Sequence, residues 1–416
     1  MLLASREPAF LRTVPVVRGP GVELSVARLR VTGGRGEFTE VFVPQSTARR
    51  SIPTIAGVGA VSAALVLSAS GAQAAGHSFL GGLSHTRTVA STVPQNGDVN
   101  PYGVAVVRRT MGRLVKHDVL VSNFNAQNNE QGTGTTIVQI SPSGHRTVFA
   151  AIDASSLPGA CPGGVGLTTA LVALRSGWVI VGSLPTSDGM SATAMSGCLL
   201  VLNPHGKVVE TLTGHHLNGP WDATAADFGK SADLFVSNVL NGTVAHAGET
   251  VMRGTVVRLH LSLRGAMPAI TSSRVIASKL PERTDPDALV LGPTGLGLAP
   301  DNTLYAADTV RSRIFAIPRA LTRKSSVNRG KTVRSHHGLV QPLGVAIAPN
   351  GHVLTVNAGN GNMLEIAPNG RLVATRTLDT SGSPAGSGAL FGLAIAPNRK
   401  AVYFVDDATN TLRLLH

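Results

Sequence analysis

Residues 342–373, "PLGVAIAPNGHVLTVNAGNGNMLEIAPNGRLV", decide the fold. Apolar runs, "PLGVAI", "HVLTVN" and "NMLEI", are separated by "APNG" and "AGNG", and a second "APNG" follows. Short apolar runs bounded by Gly, Pro and Asn are antiparallel strands joined by tight turns. Asn-Gly tolerates the positive φ that a two-residue hairpin turn demands. Asn350-Gly351 then joins a first strand to a second, and Asn369-Gly370 joins a third to a fourth. Strands alternate in direction, so both turns fall on one face, here called lower. The "P-x-G" openings and the loops between second and third strands fall on the opposite, upper face.

The same unit recurs. "NPYGVAV", "CPGGVGL", "GPWDATA", "GPTGLGL", "QPLGVAI" and "ALFGLAI" open six copies, the last with Leu390 in the proline position. A second strand follows in each ("DVLVSN", "WVIVGS", "DLFVSN", "TLYAAD", "HVLTVN", "AVYFVD"), and then a third. A repeated unit of three or four strands reads as a propeller blade. The sixth copy stops at His416, after its third strand. "TRTVAS" near residue 86 resembles "HRTVFA", the outer strand of the first copy. The expected fold is therefore all-β, a six-bladed propeller in which an N-terminal strand completes the last blade. Such pairing removes an exposed sheet edge.

"PTGLGLAPDNTLYAADTVRSRIFAI", the opening stretch and "LFGLAIAPNRKAVYFVDDATNTLRLL" resemble NHL repeats, closely in blades one and four to six and more loosely in blades two and three. The resemblance implies a six-bladed propeller related to the gluconolactonase-like and strictosidine-synthase-like group. It does not imply an activity, because this fold carries many.

The chain has 416 residues, 43% hydrophobic and 14% charged, with 47 Gly and 24 Pro, which suits many tight turns. Its formal charge is +13, of which eight Arg and four Glu in residues 1–50 supply +4. The remaining basic residues stand singly, which reads as a solvated, mildly basic surface and not as a nucleic-acid groove. Residues 49–74 read as an export signal. Arg49-Arg50 form its charged start, an apolar Ala/Gly/Ser-rich run follows, and cleavage is expected near Ala74 after Ala72-Gln73-Ala74. That run is too weakly apolar for a stable membrane anchor. Residues 1–48 read as a non-native or disordered extension, and 75–416 as the propeller. The expected location is periplasmic or secreted.

An exported pair of cysteines is more often a disulfide than a metal or nucleophile site. Cys161, before the first strand of blade two, and Cys198, opening its third, are expected to pair and to tie down residues 183–197.

Gluconolactonase-like propellers hold a divalent cation over the channel with Glu, Asn and Asp at the starts of inner strands. The aligned positions here are Tyr102, Gly163, Trp221, Thr294, Leu343 and Phe391, and none is a carboxylate or amide. Hard cations need several oxygen ligands, so no cofactor is expected. Tyr102, Trp221 and Phe391 converge instead on the upper mouth, where they stack on a flat ligand or plug the channel. A second polar ring, Asn123, Ser183, Asn238, Asp308, Asn357 and Asp406, ends the second strands and either contacts ligand or caps the following turns. The pairs His215-His216 and His336-His337 can bind zinc or copper, but sit in non-adjacent blades without a third ligand. The expectation is a monomeric binding module that takes a small molecule or protein on its upper face. The alternative is a hydrolase or lyase acting through Asp222.

Overall fold

The computed structural model describes residues 77–416, and the chain there forms six antiparallel sheets arranged as blades. The inner strands are Val99–Val106, Leu167–Ala173, Pro220–Asp227, Pro293–Leu298, Pro342–Ile347 and Leu390–Ile395. Each packs against the next, and the sixth against the first, so the ring closes round a central channel. Closure uses the expected strand. Thr86–Ser91 pairs antiparallel with Thr411–Leu415, outside Val402–Asp406 and Leu390–Ile395. The extension assigned to residues 1–48 and the export segment assigned to 49–74 lie outside the described residues.

The glycine of "P-x-G" has a packing origin. A Cβ on Gly295 would stand 2.2 Å from the Leu343 carbonyl oxygen, one on Gly344 2.2 Å from that of Phe391, and one on Gly392 2.1 Å from that of Tyr102. The inner strands of blades four, five and six thus lie against the backbone of the next blade, closer than any side chain allows. Second-strand hydroxyls add a stitch. Ser122 donates to the Thr168 carbonyl at 2.8 Å, and Ser237 to that of Thr294 at 2.8 Å.

Three sequence readings change. In blade two, Leu167 and not Pro162 occupies the proline position, since Leu167 pairs Ser183 as Pro101 pairs Asn123. Thr168 therefore replaces Gly163 in the ring of "x" residues. In blade three, the third and outer strands run long, Val251–Ser262 and Ala269–Asp285, and Leu289–Leu291 folds back on the latter. The Asn-Gly turns are wider than two residues. Ala348 N–H donates to His352, only Gly351 has positive φ (82°), and Asn350 does not. This is a three-residue loop with a left-handed glycine at its end, repeated at Gly370.

A short N-terminal strap precedes the closing strand. The carboxylate of Glu365 accepts from Ser78 Oγ at 2.6 Å, Leu80 N at 2.8 Å and Asn350 Nδ2 at 2.8 Å. Leu80, wholly buried, packs with Leu354, Met363 and Phe404 of blades five and six. Cys161 and Cys198 form the expected disulfide, with Cα atoms 5.4 Å apart. No helix of the described residues is long and apolar enough to cross a membrane.

Candidate functional site

The upper mouth of the channel is filled. Tyr102 stacks on Phe391 with ring centroids 4.1 Å apart, and on Phe124 at 4.5 Å, while Trp221 tilts against it at 6.1 Å. All are buried, and Leu184, Leu289 and Val290 close over them. Leu289 and Val290 come from the folded-back end of blade three, which the repeat pattern did not show. The residual void beside Tyr102 and Trp221 is about 10 Å³, no more than water-sized. These aromatics stack on one another, as a plug.

The second polar ring is equally engaged. Asn123 donates to the Thr92 carbonyl at 3.1 Å, and Asn357 to that of Gly338 at 2.8 Å. Asn238 accepts from Asn218 N at 3.1 Å. Asp308 takes Arg313 Nε at 2.7 Å and Arg311 N at 3.1 Å, and Asp406 takes Arg413 Nη1 at 2.7 Å. Every one is fully buried, tying a turn or an arginine to its own blade. Ser183 likewise bridges Gly166 N and the Gly164 carbonyl. His215, His216, His336 and His337 are exposed on turns with left-handed backbone. Among the described residues, no three His, Cys, Asp or Glu side chains gather as a metal would require. The ring over the channel, now Tyr102, Thr168, Trp221, Thr294, Leu343 and Phe391, offers three hydroxyls and no carboxylate. That donor set does not fit a hard cation.

The channel opens on the other side. Below the plug lies a cavity of about 590 Å³, lined by the inner strands of all six blades and by the turns that follow them. Val104, Leu171, Leu298, Val345, Ile347 and Leu393 put apolar side chains into it, although polar atoms make up more of its exposed lining than apolar ones. Arg108, Arg175 and Arg399 line its lower end, and all three are exposed. Arg175 is paired with Asp227 at 3.5 Å, which leaves Arg108 and Arg399 as the uncommitted charges. Arg399 occupies the left-handed position (φ 58°) that glycine holds in the corresponding "APNG" turn of blade five. A side chain there costs backbone energy that glycine would not.

At the cavity's deep end sits Asp222, the sole sequence-assigned site residue that lines it. It stands where four other blades have the motif glycine. Its Oδ2 accepts from Leu296 N of the next blade at 2.7 Å, so a carboxylate bridges a gap that blades four to six close backbone to backbone. Burial raises its pKa to about 8, against the opposing pull of the Leu296 and Ala223 amides. At neutral pH it is largely a protonated, neutral carboxyl. The sequence named Asp222, for the enzyme alternative, and did not point to the arginines. The signal available was "APNR" in blade six, where arginine replaces the turn glycine.

No family model matches the chain, and no curated protein does. Solved structures do. A gluconolactonase from Xanthomonas campestris aligns over 80% of this chain and 93% of its own, at 13% identity and a TM-score of 0.51. A luciferin-regenerating enzyme aligns over 78% and 94%, at 13% identity and a TM-score of 0.51. At such identity the likeness is one of fold alone: the chain is a six-bladed β-propeller.

Proposed function

We propose that this chain is an exported binding protein for a small anionic amphiphile, which enters the channel from the lower face. The observation that carries this reading is the cavity itself. Its volume is that of a small-molecule site, apolar side chains alternate with polar groups on its walls, Arg108 and Arg399 stand unpaired at the mouth, and one neutral carboxyl waits at the far end. The arginines suit a carboxylate or phosphate head, the walls an alkyl or ring body, and Asp222 Oδ–H a carbonyl or ether acceptor at the tip. The disulfide supports export, because such bridges persist in oxidising compartments. The upper face, assigned the ligand on sequence grounds, offers a packed plug, and the proposal moves to the opposite end of the same strands.

A second reading rests on Asp222. A buried carboxyl protonated at neutral pH is equipped to act as a general acid on a lactone or ester held in the cavity, the substrate class that the name gluconolactonase suggests.

Titration with fluorescent fatty-acid and aryl-sulfonate probes, beside a lactone and ester hydrolysis screen, tests both. Binding is expected, weakened about ten-fold in Arg399→Gly, the loss of one charge-assisted contact. That variant restores the repeat's own turn residue and keeps the melting temperature. Turnover abolished by Asp222→Asn, with probe binding retained, would establish the hydrolase. Probe binding unchanged in an Arg108→Ser, Arg399→Gly double variant would sink the site.

A further inference from the structure

Folding sorts charge between the two faces. The segments joining strands on the lower face carry fifteen Lys or Arg against two Asp. Those on the upper face carry one Arg against eight Asp or Glu. In sequence the basic residues are dispersed, singly or in adjacent pairs such as Arg108-Arg109 and Arg399-Lys400, because each turn contributes only one or a few. In space, all these turns end on one side of the disc.

The lower face also displays apolar tips. Val115, Phe228 and Met267 are 46%, 55% and 44% exposed, and each lies within three residues of a lysine or arginine, namely Lys116, Lys230 and Arg264. Phe228 and Met267 tip neighbouring turns of blade three, whose backbones join where Leu263 N donates to the Lys230 carbonyl at 3.0 Å. Apolar tips set among cations are what an interfacial surface needs. The cations are drawn to anionic headgroups, and the tips bury in the headgroup layer. The described chain begins on this face too, where the His77 carbonyl is held by Asn350 Nδ2 at 3.0 Å.

We infer that the lower face docks on an anionic lipid surface. Nucleic acid would satisfy the charge equally well. It has no use for exposed valine and methionine tips, however, since aliphatic side chains do not stack on splayed bases as aromatic ones do. The inference is independent of the channel ligand. It needs only the turns, and the residues tested below do not line the cavity.

Co-sedimentation of the full chain with phosphatidylglycerol–phosphatidylcholine vesicles, pure phosphatidylcholine vesicles and a DNA duplex tests it. Binding to the anionic vesicles is expected, weak on the neutral ones and reduced in 0.5 M NaCl. Lys230→Glu with Arg264→Glu should weaken it at least about ten-fold. Phe228→Ser, which leaves charge unchanged, should weaken it several-fold. Arg311→Glu on the upper face should not change it. These are exposed positions, and a melting curve for each variant confirms folding. The proposal is overturned if anionic vesicles bind wild type and the double variant equally. It is also overturned if the duplex binds more tightly than the vesicles with no response to Phe228→Ser, which would make the face a nucleic-acid surface.

Discussion

At the scale of single residues, the chain's glycines and its one misfit aspartate answer to different physics. Gly344 and Gly351 lie seven positions apart. Gly344 has ordinary backbone, but a Cβ there would meet a carbonyl oxygen of blade six at 2.2 Å. Gly351 has open space around it but φ of 82°. Alanine at Gly344 must push two blades apart and is expected to cost about 1–3 kcal/mol. At Gly351 the cost is conformational, about 1 kcal/mol. Chemical denaturation of both variants separates the two causes, and equal losses would contradict the packing account of the motif. Asp222 occupies the Gly344 position of its own blade, and its protonation links stability to pH. Burial lifts its pKa to about 8. Between the ordinary carboxylate range and pH 8, the folded chain keeps a proton that the unfolded chain has released, so its stability contribution falls as pH rises through that window. Asp222→Asn copies the neutral form and keeps an acceptor for Leu296 N. The variant is expected to melt higher than wild type at pH 9 and close to it at pH 4. Parallel profiles would mean that Asp222 is ionised in the fold.

Among the elements, what was legible is what repeats. Inner strands, lower turns and the closing strand follow from "P-x-G", "APNG" and the missing outer strand of blade six, because each repeat shows the same local chemistry. The cysteine pairing was legible from the expected compartment and from placement before the first strand and at the start of the third strand of one blade. Less legible was whatever departs from the repeat. Blade two carries three residues between Leu167 and Leu171 where blade one carries two between Pro101 and Val104, so "CPGGVGL" mimicked an opening that lies further on. The folded-back strand Leu289–Leu291 and the strap from Ser78 to Leu80 make long-range contacts with no sequence period. The strap depends on Glu365, whose pKa burial would raise. The hydrogen bonds from Ser78, Asn350, Leu80 and His352 outweigh burial and hold it below the usual glutamate range. Such a depressed group contributes stability above its unfolded pKa and loses it as pH falls through the folded one, so the strap should loosen only in acid. Glu365→Ala leaves several buried donors without an acceptor and is expected to cost about 2–4 kcal/mol. Faster amide exchange should appear at residues 78–91, and unchanged exchange there would show that the strand holds without its anchor. The disulfide stabilises differently, by restricting the unfolded chain. With the cysteines 37 positions apart, its removal by paired Cys→Ser substitution is expected to cost about 3–4 kcal/mol.

Over the whole molecule, a surface with its cations on one side and anions on the other is not the arrangement that stability favours. Like charges crowded on the lower turns repel, and interspersed signs would relieve them. Few of these cations have an acidic partner. Arg175 pairs with Asp227, but Arg109, Lys116, Lys230, Arg264 and Lys400 stand in solvent. Repulsion of this kind is screened over about 10 Å at 0.1 M salt. The melting temperature should therefore rise as NaCl increases from 10 to 300 mM. In Lys230→Glu with Arg264→Glu, the low-salt melting temperature should exceed that of wild type and the salt response should shrink. The same substitutions are those expected to weaken attachment to anionic vesicles at least about ten-fold. A surface that costs stability and confers binding would then be seen trading one for the other at the same two positions. If the variant melts no higher than wild type at low salt, the lower face carries no such strain, and its charge is ordinary solvation.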